Sequence, residues 1–133
     1  MLKDIQNRAD ITKLVHTFYE RLLKDEEFRH LFLEVAKLDI LTHFEIIIDF
    51  WESVLFQAGK YKRDTLQKHL DLHMDHRLTD EHFNRWLAIF NATVDELFEG
   101  ATAKGAKDRA LSIATIIKMK IDDLENRRLA LNN

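Results

Sequence analysis

The chain of 133 residues contains no cysteine and no proline, and only three glycines, at 59, 100 and 105. Without cysteine there is no disulfide, no thiolate metal site and no thioether attachment of a prosthetic group. Without proline, and with so little glycine, few positions interrupt a helix, and the abundant Leu, Ile, Lys and Glu favour one. An excess of one charge sign is missing too: 20 basic against 23 acidic residues leave a net charge of −3. The basic side chains are scattered, and the short run Lys60, Lys62, Arg63 makes no nucleic-acid footprint, so no nucleic-acid partner is expected. No apolar run approaches the roughly 20 residues of a bilayer-spanning helix. The opening Met1-Leu2-Lys3-Asp4-Ile5-Gln6-Asn7-Arg8 lacks the apolar centre of a signal peptide. These absences predict no membrane association and a cytoplasmic location.

What is present is an ordinary globular balance, 46% apolar against 32% charged, read as one domain over residues 1–133 that buries roughly two-thirds of its unfolded surface. Asp10 reads as the N-cap of a helix running to Lys24, with Ile11, Leu14, Val15, Phe18, Tyr19, Leu22 and Leu23 as its apolar stripe. A short helix or turn from Asp25 to Phe32 follows, burying Phe28, Leu31 and Phe32. A long helix from Leu38 to Ala58 stops at Gly59, which suits a C-terminal cap, and faces inward with Ile40, Phe44, Ile47, Ile48, Trp51 and Leu55. After a polar loop, a short segment from Thr65 to about Met74 carries Leu66, Leu70 and several histidines. Thr79 with Asp80 and Glu81 opens a helix to Phe98, whose Phe83, Trp86, Leu87, Phe90, Val94 and Leu97 turn inward. Gly100 and Gly105 bracket a turn. A last helix, Lys107 to Leu129, buries Ala110, Ile113, Ala114, Ile117, Ile121 and Leu124. No segment alternates with the period of a strand, so the expected fold class is all-α.

His69, His73 and His76 follow i, i+4, i+7 spacing and would share one helix face. Taken literally this is a zinc or iron site, with Asp71 or Asp75 as spare ligands. No fourth ligand at recognisable spacing accompanies them, and the glutamate of a His-Glu-x-x-His motif is missing. For His73 and His76 solvated polar residues near a helix end are the plainer reading. A haem site asks for less: one neutral imidazole on a helix, an apolar slot and a polar group opposite. His69, between Leu66, Leu70 and Leu72, lies on a short segment between two aromatic-rich helices. Upstream, His43 heads an inward face that continues with Ile47, Phe50 and Trp51. A distal helix, a loop and a short proximal helix are the order of a globin.

The fragments Phe18-Tyr19-Glu20, Leu31-Phe32, His43 with Asp49-Phe50-Trp51-Glu52, Lys68-His69-Leu70, and His82-Phe83-Asn84-Arg85-Trp86-Leu87 resemble, in joint order and spacing, the third group of the truncated haemoglobins. The resemblance covers nearly the whole chain. It implies a globin-like, truncated two-over-two helical sandwich around non-covalent haem b. By resemblance His69 is the proximal iron ligand, Tyr19 the distal tyrosine, and Trp86 the tryptophan whose indole N–H enters the distal pocket. His43 takes the distal histidine position, where it points inward, swings to solvent or binds the iron itself. Ile47 closes over a bound ligand, Phe32 wedges against the porphyrin edge, and Trp51 is the second helix-borne tryptophan. Phe32 and Trp51 also serve as core aromatics. His16, His30 and His82 are read as surface or helix-end residues without a role.

The chain departs from the family in two places. His73-Met74 stands where prolines are expected after the proximal helix, and Ile46 where a basic partner for a propionate is expected. Lys68 and Arg63 are the remaining candidates for that partner. The resemblance implies a diatomic gas as ligand, oxygen or nitric oxide, with a reductase as partner and a monomer or weak homodimer as the state. Donors at Tyr19 and Trp86 would retain oxygen, which suits detoxification of nitric oxide or peroxide better than oxygen transport. A haem-based sensor or haem-trafficking protein without turnover, and a His-ligated helical module without porphyrin, are the alternative readings.

Overall fold

The structure, a computed structural model, describes residues 1–35, 39–56 and 78–131. The predicted segment Thr65–Met74 lies outside them, and with it Lys68, His69, His73 and His76, as do Gly59 and Arg63. The described residues are helical and include no strand. Helix α1 spans Arg8–Leu22, α2 Glu26–Arg29, a π-helical turn His30–Val35, α3 Ile40–Phe56, α4 Asp80–Leu97 and α5 Ala101–Leu131.

Helix α1 starts two residues before the predicted Asp10. Asn7 is its cap, because the Asn7 Oδ1 accepts the Asp10 N–H at 2.9 Å, while Asp10 reaches back to accept the Gln6 N–H at 2.9 Å. Both residues are good cap formers; the Asn7 bond satisfies a donor that a bare helix end would leave open, and the Asp10 bond fixes the residue before the cap. The stripe Ile11, Leu14, Val15, Phe18, Tyr19 and Leu22 is buried as its spacing predicts. Asp25 caps α2 by accepting from the Glu27 and Phe28 N–H groups at 3.0 and 3.3 Å. Phe28 and Leu31 beneath it are buried, whereas Phe32 is half-buried. Helix α4 begins behind Thr79, as its sequence predicts.

Helix α1 packs on both α3 and α4, α4 packs along α5, and α3 also touches α5. The pairs α1–α3 and α4–α5 form the two-over-two globin sandwich. Ion pairs brace the seams. Arg8 of α1 meets Asp49 and Glu52 of α3 at 2.8 and 3.0 Å, and Arg21 meets Glu96 of α4 at 2.6 Å.

Helix α5 starts at Ala101, six residues before the predicted Lys107. Its N-terminal cap comes from the far end of the chain. The Asp4 carboxylate accepts the Thr102 and Ala103 N–H groups at 2.9 and 2.8 Å, the donors that a local cap residue would ordinarily take. Gly100, at φ 147°, precedes them, and a Cβ there would lie 2.5 Å from the Asp4 Cγ. The cap therefore needs both the freedom of glycine and its missing side chain. Ile5, next to Asp4, is buried in the core. Gly105, predicted to close a turn, instead lies inside α5, where an added Cβ would meet nothing within 4 Å.

Asp4→Ala should cost about 0.5–2 kcal/mol in chemical denaturation. Desolvation opposes the Asp4 charge, but the N–H donors of Thr102, Ala103 and Ile5 outweigh it and hold the carboxyl below its usual value. A depressed folded pKa means stability that is present above the ordinary aspartate value and lost as pH falls through the folded one. The difference between wild type and Asp4→Ala should therefore shrink below about pH 4. Gly105→Ala should stabilise the protein by about 0.5–1 kcal/mol, because alanine fits this helical site and restricts the unfolded chain. A lower denaturation midpoint for Gly105→Ala would contradict this.

Candidate functional site

One end of the sandwich encloses an apolar cavity, to which every helical element among the described residues contributes. Phe18 and Tyr19 come from α1, Phe28 from α2, Leu31 and Phe32 from the π-helical turn, and Ile47, Phe50 and Trp51 from α3. Leu78 precedes α4, which adds His82, Phe83 and Trp86, and α5 supplies Ile113, Ala114 and Ile117. Of the residues expected to form the site, Tyr19, Phe32, Ile47, Phe50, Trp51 and Trp86 are brought together on this wall. His43 stands behind Tyr19. Lys68 and His69 lie outside the described residues.

The wall is ordered by ring contacts. Phe90, 1% exposed, is sandwiched between the two indoles, 5.1 Å from Trp51 and 5.6 Å from Trp86, with interplanar angles of 16° and 5°. Phe18 stands edge-on to both Trp86 and Phe90 at 5.5 and 5.2 Å. Such offset and edge-to-face pairs add about 0.5–1.5 kcal/mol each beyond area burial. They also fix the plane of Trp86. The role of Trp51 as a core aromatic and its place on the cavity wall are thus compatible.

Tyr19 supplies a polar group in this apolar setting. Its side chain is 5% exposed, and its hydroxyl lies 2.9 Å from His43 Nε2. The Tyr19 ring stands edge-on to Phe32 and His43. Burial pushes the Tyr19 pKa far upward, so the hydroxyl keeps its proton and remains a donor. His43 thus points at Tyr19, half-buried and behind the residues that line the cavity. Its tautomer decides where the Tyr19 proton goes. If Nε2 accepts, the Tyr19 O–H is spent on His43; if Nε2–H donates to the phenol oxygen, the O–H is free to reach a ligand.

His82 is a helix-end residue, one of the two readings of the sequence, but it is buried and bonded rather than idle. It is 5% exposed and lines the cavity rather than the surface. Its Nδ1 accepts the Thr79 backbone N–H at 2.9 Å, closing a capping box at the start of α4, and its Nε2 is hydrogen-bonded to Glu27 of α2. Arg85, one turn on, donates to Asp25 and Glu27 at 2.5 and 2.7 Å, with its guanidinium 5.1 Å from the centre of the Phe28 ring. The bonds from His82 and Arg85 hold the Glu27 carboxyl below the usual range. A threonine followed three residues later by a polar side chain is the sequence trace of such a box, and Thr79-Asp80-Glu81-His82 carries it. Nothing comparable announces Glu27 as the second partner. His16 and His30 are exposed, as expected, though His16 packs against Phe44 at 4.8 Å.

The donor set fits a planar, largely apolar prosthetic group with a small polar ligand on one face: aromatic walls, one buried phenol backed by a histidine, and an indole. Among the described residues no group of three His, Cys, Asp or Glu side chains could hold a metal ion. No described helix is long and apolar enough to cross a membrane.

No family model matches the chain. Over 112 residues it is 29% identical to the group 3 truncated hemoglobin ctb of Campylobacter jejuni, covering 82% of this chain and 86% of that protein. Its structure is similar to the crystal structure of a group III truncated hemoglobin from Campylobacter jejuni, with a TM-score of 0.78 and 27% identity. That match covers 90% of this chain and 94% of the other. Sequence and fold agree over most of both chains, which makes this protein a homologue of the group III truncated haemoglobins.

Proposed function

We propose that the protein binds haem b non-covalently in the aromatic cavity, with His69 as the iron ligand, and that it holds a diatomic gas beside Tyr19 and Trp86. The observation that carries this reading is the buried, protonated Tyr19 hydroxyl, backed by His43 on a largely apolar wall. Haem, when bound, supplies the iron at which such a gas binds.

The residues of the chain account for the rest. Phe32, Ile47, Phe50 and Trp51 line the slot and keep water out. Tyr19 offers its O–H, with His43 donating Nε2–H to the phenol oxygen so that the hydroxyl proton is free to face the ligand. Trp86, its plane held by Phe90 and Phe18, offers the indole N–H. Each donor contributes on the order of 1.5–3 kcal/mol toward a partly charged acceptor. Two such donors slow release, which favours chemistry on oxygen, nitric oxide or peroxide over carriage of oxygen, and a reductase would then supply electrons. Lys68 is proposed to pair with a propionate, a contact worth about 0–1 kcal/mol if exposed. The working state is proposed as a cytoplasmic monomer or weak homodimer.

Two measurements test the reading. The purified protein should show a Soret band that disappears in His69→Ala and persists in His73→Ala; zinc without a Soret band would sink it in favour of a His-ligated module. Tyr19→Phe should speed oxygen dissociation on the order of 10- to 100-fold, the rate equivalent of one charge-assisted hydrogen bond. An unchanged rate would remove Tyr19 from the ligand's partners.

A further inference from the structure

His82 is held at both ring nitrogens by different parts of the fold. A backbone N–H can only donate, so the Thr79 N–H, 2.9 Å from Nδ1, requires a lone pair on Nδ1. The neutral ring therefore carries its proton on Nε2 and donates it to the Glu27 carboxylate. One nitrogen closes the first turn of α4; the other ties that turn to α2, whose Phe28 shares the cavity wall with Leu31 and Phe32. Trp86 follows one turn along the same helix. Arg85, between them in sequence, repeats the tie to Asp25 and Glu27.

We infer that His82 is a positioning residue for the distal pocket, whose Nε2–H tautomer ties the start of α4, one turn before Trp86, to α2, and whose second proton, arriving on Nδ1, removes one of the two bonds of the α4 capping box and loosens the hold on the ligand. Nδ1 cannot both carry a proton and accept the Thr79 N–H. Acid therefore removes a bond that a helix start needs. The charged groups around the ring act in both directions. Glu27 and, farther off, Asp25 on α2 favour the second proton, as do Asp80 and Glu81 on α4 itself, while Arg85 on α4 opposes it. From α5, Lys118 approaches Asp80 at 3.7 Å and offsets its charge. Glu27, held below the usual carboxylate range by its bonds to His82 and Arg85, keeps the charge that accepts the Nε2–H.

This inference rests on the proposed role of Trp86 toward a bound gas, and the experiment separates the two. In the haem-loaded ferrous protein with carbon monoxide bound, the ring 15N shifts of His82 should show an unprotonated Nδ1 and a protonated Nε2 at neutral pH. The reverse tautomer would overturn the inference whatever Trp86 does. Oxygen dissociation should accelerate about three- to tenfold from pH 8 to pH 5, the effect of losing one net hydrogen bond. His82→Gln keeps an acceptor for the Thr79 N–H and a donor within reach of Glu27, but it does not titrate. Its oxygen-dissociation rate should not change between pH 8 and pH 5, whereas His82→Leu should be fast at every pH. The pH dependence of thermal unfolding should flatten in His82→Gln in the same way, a readout independent of gas binding. A wild-type rate that ignores pH would overturn the inference, as would a pH slope that survives in His82→Gln and so belongs to another group such as His43. Trp86→Phe with an unaltered neutral-pH rate would instead defeat the reading of Trp86, leaving the tautomer and the stability profile to judge His82.

Discussion

The sandwiching of Phe90 between Trp51 and Trp86 is the contact on which the remaining geometry hangs. It joins α3 to α4 across the middle of the sandwich, and Phe18 presses on it edge-on from α1. Three helices thus meet at one ring that is almost wholly removed from water. Aromatic planes transmit orientation as well as area, since offset stacking and edge-to-face contact are directional. One side of the stack is core and the other is cavity wall. The same rings therefore hold the fold together and present a flat apolar surface, and packing and cofactor contact cannot be separated at Trp51 and Trp86.

Polar groups in this molecule are placed where helices begin. Asn7 with Asp10, Asp25, Thr79 with His82, and Asp4 each satisfy amide donors at a helix start. Two of these devices also join elements distant in sequence: His82 reaches Glu27, and Asp4 reaches α5. Among the described residues the interior is mostly aromatic and aliphatic, and on the cavity wall Tyr19 and His82 bring polar hydrogens into it.

How much of this is legible in the sequence follows from how far each signal reaches. The start of α4 is written within four residues, Thr79 to His82, and the prediction matches the structure. The buried stripe of α1 is written in its 3.6-residue period. Its start is displaced because Asn7 and Asp10 are both competent caps and only the direction of the hydrogen bond separates them. The meeting of Tyr19, Phe32, Ile47, Phe50, Trp51 and Trp86 follows from the family pattern, since no local period specifies it. The place of His82 at a helix start is legible, but its burial is not, because its second partner, Glu27, lies on another helix. The early start of α5 was missed for the same reason: the residues before Ala101 carry no capping side chain, and Gly100 looks like a turn.

The clasp between Asp4 and α5 also bears on the order in which the chain can acquire its structure. The bonded groups are separated by 98 and 99 positions, so the carboxylate is synthesised well before the donors it must find. Helix α5 must therefore nucleate on its own alanines and its packing against α4, because an unfavourable first turn gains nothing from a cap that is not yet nearby. The clasp acts afterwards as a latch on a helix already docked. Its influence should fall chiefly on how slowly the finished molecule opens, and little on how fast it forms.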